Sequence, residues 1–174
     1  MKKYLEQLVI SEPNWCVPAV LEMVLKHHGI DTFSQQDIAK QLNVVCATDE
    51  VEHKNWGAQI KVNTLNNFFA ANMIPLHEEY IPIKHFIDDY FMTEKIQELL
   101  ENDISIVCGY NYTWLYGNRE DTFQHVSIIT EVISEGNEVC LLDPGPKDAG
   151  YKTVKAGDLY CAISAARDGL WCIS

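Results

Sequence analysis

The amino-acid sequence predicts an α+β fold, with helices gathered in the N-terminal part and an antiparallel sheet in the C-terminal part. Three observations carry this expectation. An apolar helix with its own start and stop signals occupies residues 14–29. From residue 104 the apolar period changes from helical to two. Two apolar runs then flank Glu135-Gly136-Asn137, the pattern of a hairpin. The length of 174 residues, 47% of them hydrophobic, suits a single domain spanning 1–174 with a sizeable core.

The elements follow in order. Asn14 reads as the N-cap of the first helix, Pro18 sits in its first turn, and Gly29 stops it. Val17, Val20, Leu21, Met23, Val24 and Leu25 make that helix apolar nearly all round, so it is central. Ser34 and Asp37 form a capping box for a second helix that turns Ile38, Ala39 and Leu42 inward. A third covers about 62–71, after a polar loop at 44–60. An extended piece at 79–82 precedes helical stretches at 84–91 and 93–102, the latter capped by Thr93. Strands are expected at 104–110, 125–133, 138–142, 151–154 and 170–173, with an aromatic loop at 111–122 and a helix at 156–165.

Composition removes several function classes. Lys+Arg number 13 against 25 Asp+Glu, a net charge of −12, which repels phosphate backbones and argues against nucleic-acid binding. No run approaches the ~18 apolar residues of a membrane span. The start, Met1-Lys2-Lys3, lacks the apolar stretch of a signal peptide, so a cytoplasmic protein without membrane insertion is expected. The six cysteines are widely spaced and form no C-x2-C pair, so most are expected to be buried thiols. The histidines at 27, 28, 53, 77 and 85 form no ligand motif, and no phosphate-cradling glycine pattern occurs. No metal or cofactor is expected. Asp88-Asp89 and Glu78-Glu79 read as solvated faces.

One constellation points to chemistry. Cys16 stands at the N-terminal end of the apolar helix, where the macrodipole and unsatisfied amides favour a thiolate. His125 opens one strand of the hairpin and Asp143 closes the other. Eighteen residues separate the two, with the turn midway, so they are expected directly opposite each other across the ladder. On that reading a one-residue shift of register leaves the pair intact and a two-residue slip breaks it. A thiol, an imidazole and a carboxylate so ordered suit nucleophilic catalysis.

The run Asn14-x-Cys16-x-Pro18-Ala19-x-Leu21-x-Met23-Val24-Leu25, with Gly29-Ile30, resembles the nucleophile helix of papain-like cysteine peptidases that process double-glycine leader peptides of bacteriocins. His125-Val126-Ser127-Ile128-Ile129 and Leu142-Asp143-Pro144-Gly145 follow in that family's order. The resemblance implies a papain-like fold, Cys16 as nucleophile, His125 as general base and Asp143 as orienting acid. It also implies a peptide or amide substrate, such as a leader peptide. The family places an oxyanion-binding Gln six residues before the nucleophile, where this sequence has Ile10; Gln7 and Asn14 are the substitutes at hand. Residues 44–60 and 76–92 read as additional material. Trp15, Trp56, Tyr112 and Trp114 are candidates for the wall of a substrate groove. Two alternatives stay open: acyl transfer to an amine rather than water, and a papain-like shell that binds peptides without catalysis.

Overall fold

Residues 8–45, 57–58, 60–61, 63–117, 123–133, 137–145 and 149–174 are described by the computed structural model. They fall into two units. A sheet unit takes in Glu78–Asp143 and Tyr151–Ser174, and a helical unit the described residues of Tyr4–His77 and Pro144–Gly150.

The helical unit is built on α1 (Cys16–His27). Val20, Leu21, Met23, Val24 and Leu25 are each at most 2% exposed, and burying one such side chain contributes roughly 1.5–3 kcal/mol. The helix stops where expected, with Gly29 at φ 77°. α2 (Gln35–Gln41) starts with the expected box: Asp37 N donates to Ser34 Oγ, and Ser34 N donates to Asp37 Oδ2. The hydrogen bonds from Ser34 hold the Asp37 carboxyl below its usual value. Ile38 and Ala39 are buried, and Leu42 is half-buried at the helix end. α3 (Thr64–Ala71) adds Leu65, Phe68 and Phe69, the last two edge to face with ring centroids 5.8 Å apart.

In the sheet unit, β1 (Glu78–Pro82) runs into a 3-10 turn at Ile83–His85. One helix, α4 (Asp89–Glu101), replaces the two expected at 84–91 and 93–102. Its cap is Asp88, whose side chain accepts from Phe91 N at 3.1 Å, so Asp88 is no idle surface acid. Thr93 lies inside the helix, donating its hydroxyl to the Asp89 and Tyr90 carbonyls. A threonine can do either, because its hydroxyl bonds backward as readily as it caps. Glu78, read as a solvated face, is 6% exposed.

β2 (Ser105–Asn111) comes next, then the short α5 (Tyr112–Tyr116) inside the expected aromatic loop, whose residues 118–122 lie outside the described set. β3 (Gln124–Ile133), β4 (Glu138–Asp143), β5 (Gly150–Lys155), α6 (Ala156–Ala166) and β6 (Gly169–Ile173) complete the unit. The strands form a six-stranded sheet in the order β1-β6-β2-β3-β4-β5, with β6 inserted antiparallel between β1 and β2. Met92, Ile96 and Leu99 of α4, together with Leu159, Ala162 and Ile163 of α6, pack on the face carrying Ile106, Cys108, Tyr110, Ile129 and Leu141. Gly169 is required at the start of β6, because a Cβ there would overlap the Ile81 carbonyl. Among the described residues, no helix is long and apolar enough to cross a membrane, and no group of three or more His, Cys, Asp or Glu is placed to hold a metal ion.

Candidate active site in two parts

The sheet unit carries one part. His125 pairs with Tyr110 across the β2–β3 ladder, so both point to the face covered by α4 and α6. Its Nε2 lies 2.8 Å from Asp143 Oδ1, with His125 3% exposed and Asp143 fully buried. The two are not directly opposite. The register that pairs Ile128 with Leu142 sets Asp143 level with Ser127, two residues from His125, so the contact is diagonal. Diagonal neighbours are ~7–8 Å apart at the backbone, within reach of an imidazole and a carboxylate together.

Parity, not direct opposition, is the requirement. Nearer the turn the register pairs Glu131 with Cys140, Val132 with Val139 and Ile133 with Glu138. Continued unbroken, that register would set Asp143 opposite Ile128, on the other face from His125. A one-residue bulge at Thr130, between Ile129 and Glu131, restores the shared face. The sequence expectation was therefore inverted: a two-residue offset keeps the pair, and a one-residue shift would break it. The expected turn at 135–137 lies outside the described residues apart from Asn137.

Asp143 has a second partner, a cationic one, that the sequence reading missed. Lys152 Nζ of β5 lies 2.8 Å from Asp143 Oδ2. The same ammonium sits over the Tyr116 ring at 4.8 Å and the Tyr112 ring at 5.7 Å, a cation–π seat. The available signal was chemical: a carboxylate closing a buried strand needs more than one partner to stay ionised. Tyr112 meets the His125 ring edge to face at 5.3 Å, while Trp114 is half-buried against the sheet core. Tyr110 is fully buried, its hydroxyl 3.0 Å from Ser127 Oγ, and belongs to the core. Burial and the nearby Asp143 charge push the Tyr110 and Tyr116 hydroxyls well up, and burial does the same to the Cys108 thiol.

The helical unit carries the other part. Cys16 is the first residue of α1 and is half-buried. The expected cap fails: Trp15 is the N-cap residue, and no side chain caps this end. Asn14 instead precedes the N-cap residue and adopts left-handed backbone, φ 66°. Asn14 Nδ2 and Trp15 Nε1 are buried without a hydrogen-bond partner among the described residues. An unsatisfied buried donor costs ~1–3 kcal/mol, so these invite explanation. The preceding segment is pinned by Gln35, 6% exposed, which donates Nε2 to Val9 O and accepts Ser11 N at Oε1, both at 2.9 Å. Trp15, Val9 and Gln35 help line an open cavity of about 750 Å3. Gln7 and Trp56 lie outside the described residues. Of the other described thiols, Cys108 and Cys172 are buried, Cys140 is half-buried and Cys161 exposed, so the expectation of mostly buried thiols is met by two of the five described, and Cys46 lies outside the described residues.

The sequence profile of the Peptidase_C39 like family matches residues 2–165. The chain belongs to that family. Among solved structures it is similar to one from Bacillus anthracis described as a "putative C39-like peptidase", with a TM-score of 0.65 and 14% identity over 96% of this chain and 93% of that one. At that identity the likeness shows the fold, which is papain-like as the sequence suggested. No curated protein matches the sequence. Family and fold together support a cysteine peptidase type of function.

Proposed function

We propose that this protein is a cysteine hydrolase cleaving a peptide or amide bond, with Cys16 as nucleophile, His125 as general base and Asp143 as orienting acid. The observation that carries the reading is the buried 2.8 Å bond between His125 and Asp143. With Asp143 accepting from Nε2–H, Nδ1 is the basic nitrogen of the ring. It takes the thiol proton, and the sulfur attacks the carbonyl carbon, breaking the C=O π bond. The resulting oxyanion needs donors held in place beforehand. Asn14 Nδ2 and the Cys16 backbone N–H at the uncapped start of α1 fill that role, which gives the orphaned amide its use. Collapse breaks the C–N bond, and the imidazolium passes its proton to the leaving amine. Water, deprotonated by the same ring, then hydrolyses the thioester and restores the thiol. Trp15, Tyr112 and Trp114 wall the substrate groove, with a leader-type peptide as the occupant, and the protein works in the cytoplasm without cofactor.

Trapping the acyl intermediate tests this. Intact-mass analysis after mixing with an activated peptide ester should show one acyl group on Cys16, lost in Cys16→Ala, that water discharges. Discharge only to added amines would assign the acyl-transfer alternative. No adduct on a folded protein that still binds the peptide would assign the non-catalytic alternative.

A further inference from the structure

The sheet unit holds a cation that the proposed reaction does not use. Lys152 places its ammonium 2.8 Å from Asp143 Oδ2, while Asp143 Oδ1 is 2.8 Å from His125 Nε2. Asp143 is fully buried and the Lys152 side chain is 17% exposed. The ammonium is seated over Tyr116 and Tyr112, so its approach to Oδ2 is held from two sides. Fixing Oδ2 fixes the plane of the carboxylate, and with it the direction in which Oδ1 meets the ring.

We propose that Lys152 is a positioning residue for the proposed reaction: it locks Asp143 in the orientation that holds His125 and lowers the pH at which the His125–Asp143 pair takes up a proton. The inference rests on the reading of His125 as the general base. The charge balance gives the sign. With Lys152 present, the three groups go from neutral to +1 when the ring is protonated. Without it, the pair goes from −1 to neutral. A cation in a poorly solvated site always disfavours the added proton. The groups facing Asp143 include Lys152 of β5, His125 of β3, Tyr110 and Cys108 of β2 and Tyr116 of α5, with the Tyr112 ring against His125 and Lys152. Burial keeps Tyr110, Tyr116 and Cys108 protonated through neutral pH, so none of them supplies a competing charge. Lys152 also gives the fully buried carboxylate a cationic partner whether or not the imidazole carries a charge.

The test is a pH titration of the His125 ring by NMR in the full chain, assigned by loss of its signal in His125→Gln. Every variant carries Cys16→Ala, so the thiol contributes nothing and the readout is independent of whether the protein is a peptidase. Lys152→Met should raise the His125 midpoint by about one pH unit, and Lys152→Arg should leave it near the parent value. Lys152→Gln, which keeps a donor for Oδ2 but drops the charge, should behave like Lys152→Met and serves if that variant does not fold. A midpoint unmoved in the uncharged variants would overturn the proposal. So would failure of both to fold while Lys152→Arg folds, since the ammonium would then be a folding requirement only. Absence of an acyl-enzyme at Cys16 would instead overturn the peptidase reading and leave this titration to be judged by itself.

Discussion

At the sheet end of the proposed site, Asp143 bonds His125 and Lys152 at 2.8 Å each, Ser127 bonds Tyr110, and the carboxylate is sealed from solvent. At the start of α1 the opposite holds among the described residues: no side chain caps the helix, and Asn14 Nδ2 and Trp15 Nε1 are buried without partners. The first region spends its polar groups on one another and so fixes a geometry. The second leaves donors without partners among the described residues, next in the chain to a half-buried thiol, as the proposed oxyanion site requires of an acceptor that exists only during reaction. Substitutions should therefore cost stability in the first region and rate in the second.

The largest effect is expected from Asp143→Ala. It removes the buried carboxylate that His125 and Lys152 share at 2.8 Å each, a change of about 3–5 kcal/mol, which should lower the melting temperature by roughly ten degrees in a chain of this size. Next comes Asn14→Ala. Loss of an oxyanion donor should lower kcat/KM by about 10²–10³, while the melting temperature holds or rises because an unsatisfied donor is gone. Ser34→Ala is the control from the same unit. Its hydroxyl caps α2 through Asp37 N, so the loss should be about 1 kcal/mol of stability with unchanged kcat/KM. If Asn14→Ala behaved like Ser34→Ala, the contrast between the regions would collapse.

The smallest effect sharpens the comparison from inside the sheet unit. Asp168 accepts from Gly169 N at 2.9 Å and from the Tyr80 hydroxyl at 3.3 Å, and its carboxylate fills the space where a Cβ on Gly109 would stand. Burial raises its carboxyl above the usual value and pushes the Tyr80 hydroxyl up to about 12. A raised carboxyl favours the folded state below the unfolded value, and that contribution is lost as pH rises through the folded value. The amide of Asp168→Asn does not titrate, so its melting temperature relative to the parent should be more favourable at pH 7 than at pH 4. An equal or reversed difference would contradict the assignment.

Much of the fold was legible because its signals are local. Ser34 and Asp37 cap α2 across three residues, Gly29 ends α1, and the strands flanking 135–137 show period two. What escaped depended on groups far apart in sequence. Asp88 and Thr93 can each begin a helix, and the structure begins it at Asp88. Thr130 looks like any β-branched strand residue, yet it absorbs the bulge that sets the face of Asp143. Asn14 has the composition of a cap, yet it stands one residue before the N-cap position. Lys152 sits one strand beyond the hairpin, so neither spacing nor motif ties it to Asp143. The contact between His125 and Asp143 was legible because local pattern places one near the start of β3 and the other at the end of β4.

The most direct measurement of the central claim is the alkylation rate of Cys16 by iodoacetamide at pH 6, in the parent protein and in His125→Ala. A thiol that gives its proton to His125 reacts much faster than free cysteine at that pH, where an ordinary thiol is almost wholly protonated. The predicted result is that this advantage disappears in His125→Ala while both proteins stay folded. A parent rate no greater than that of free cysteine, or one that survives the loss of the imidazole, would contradict it.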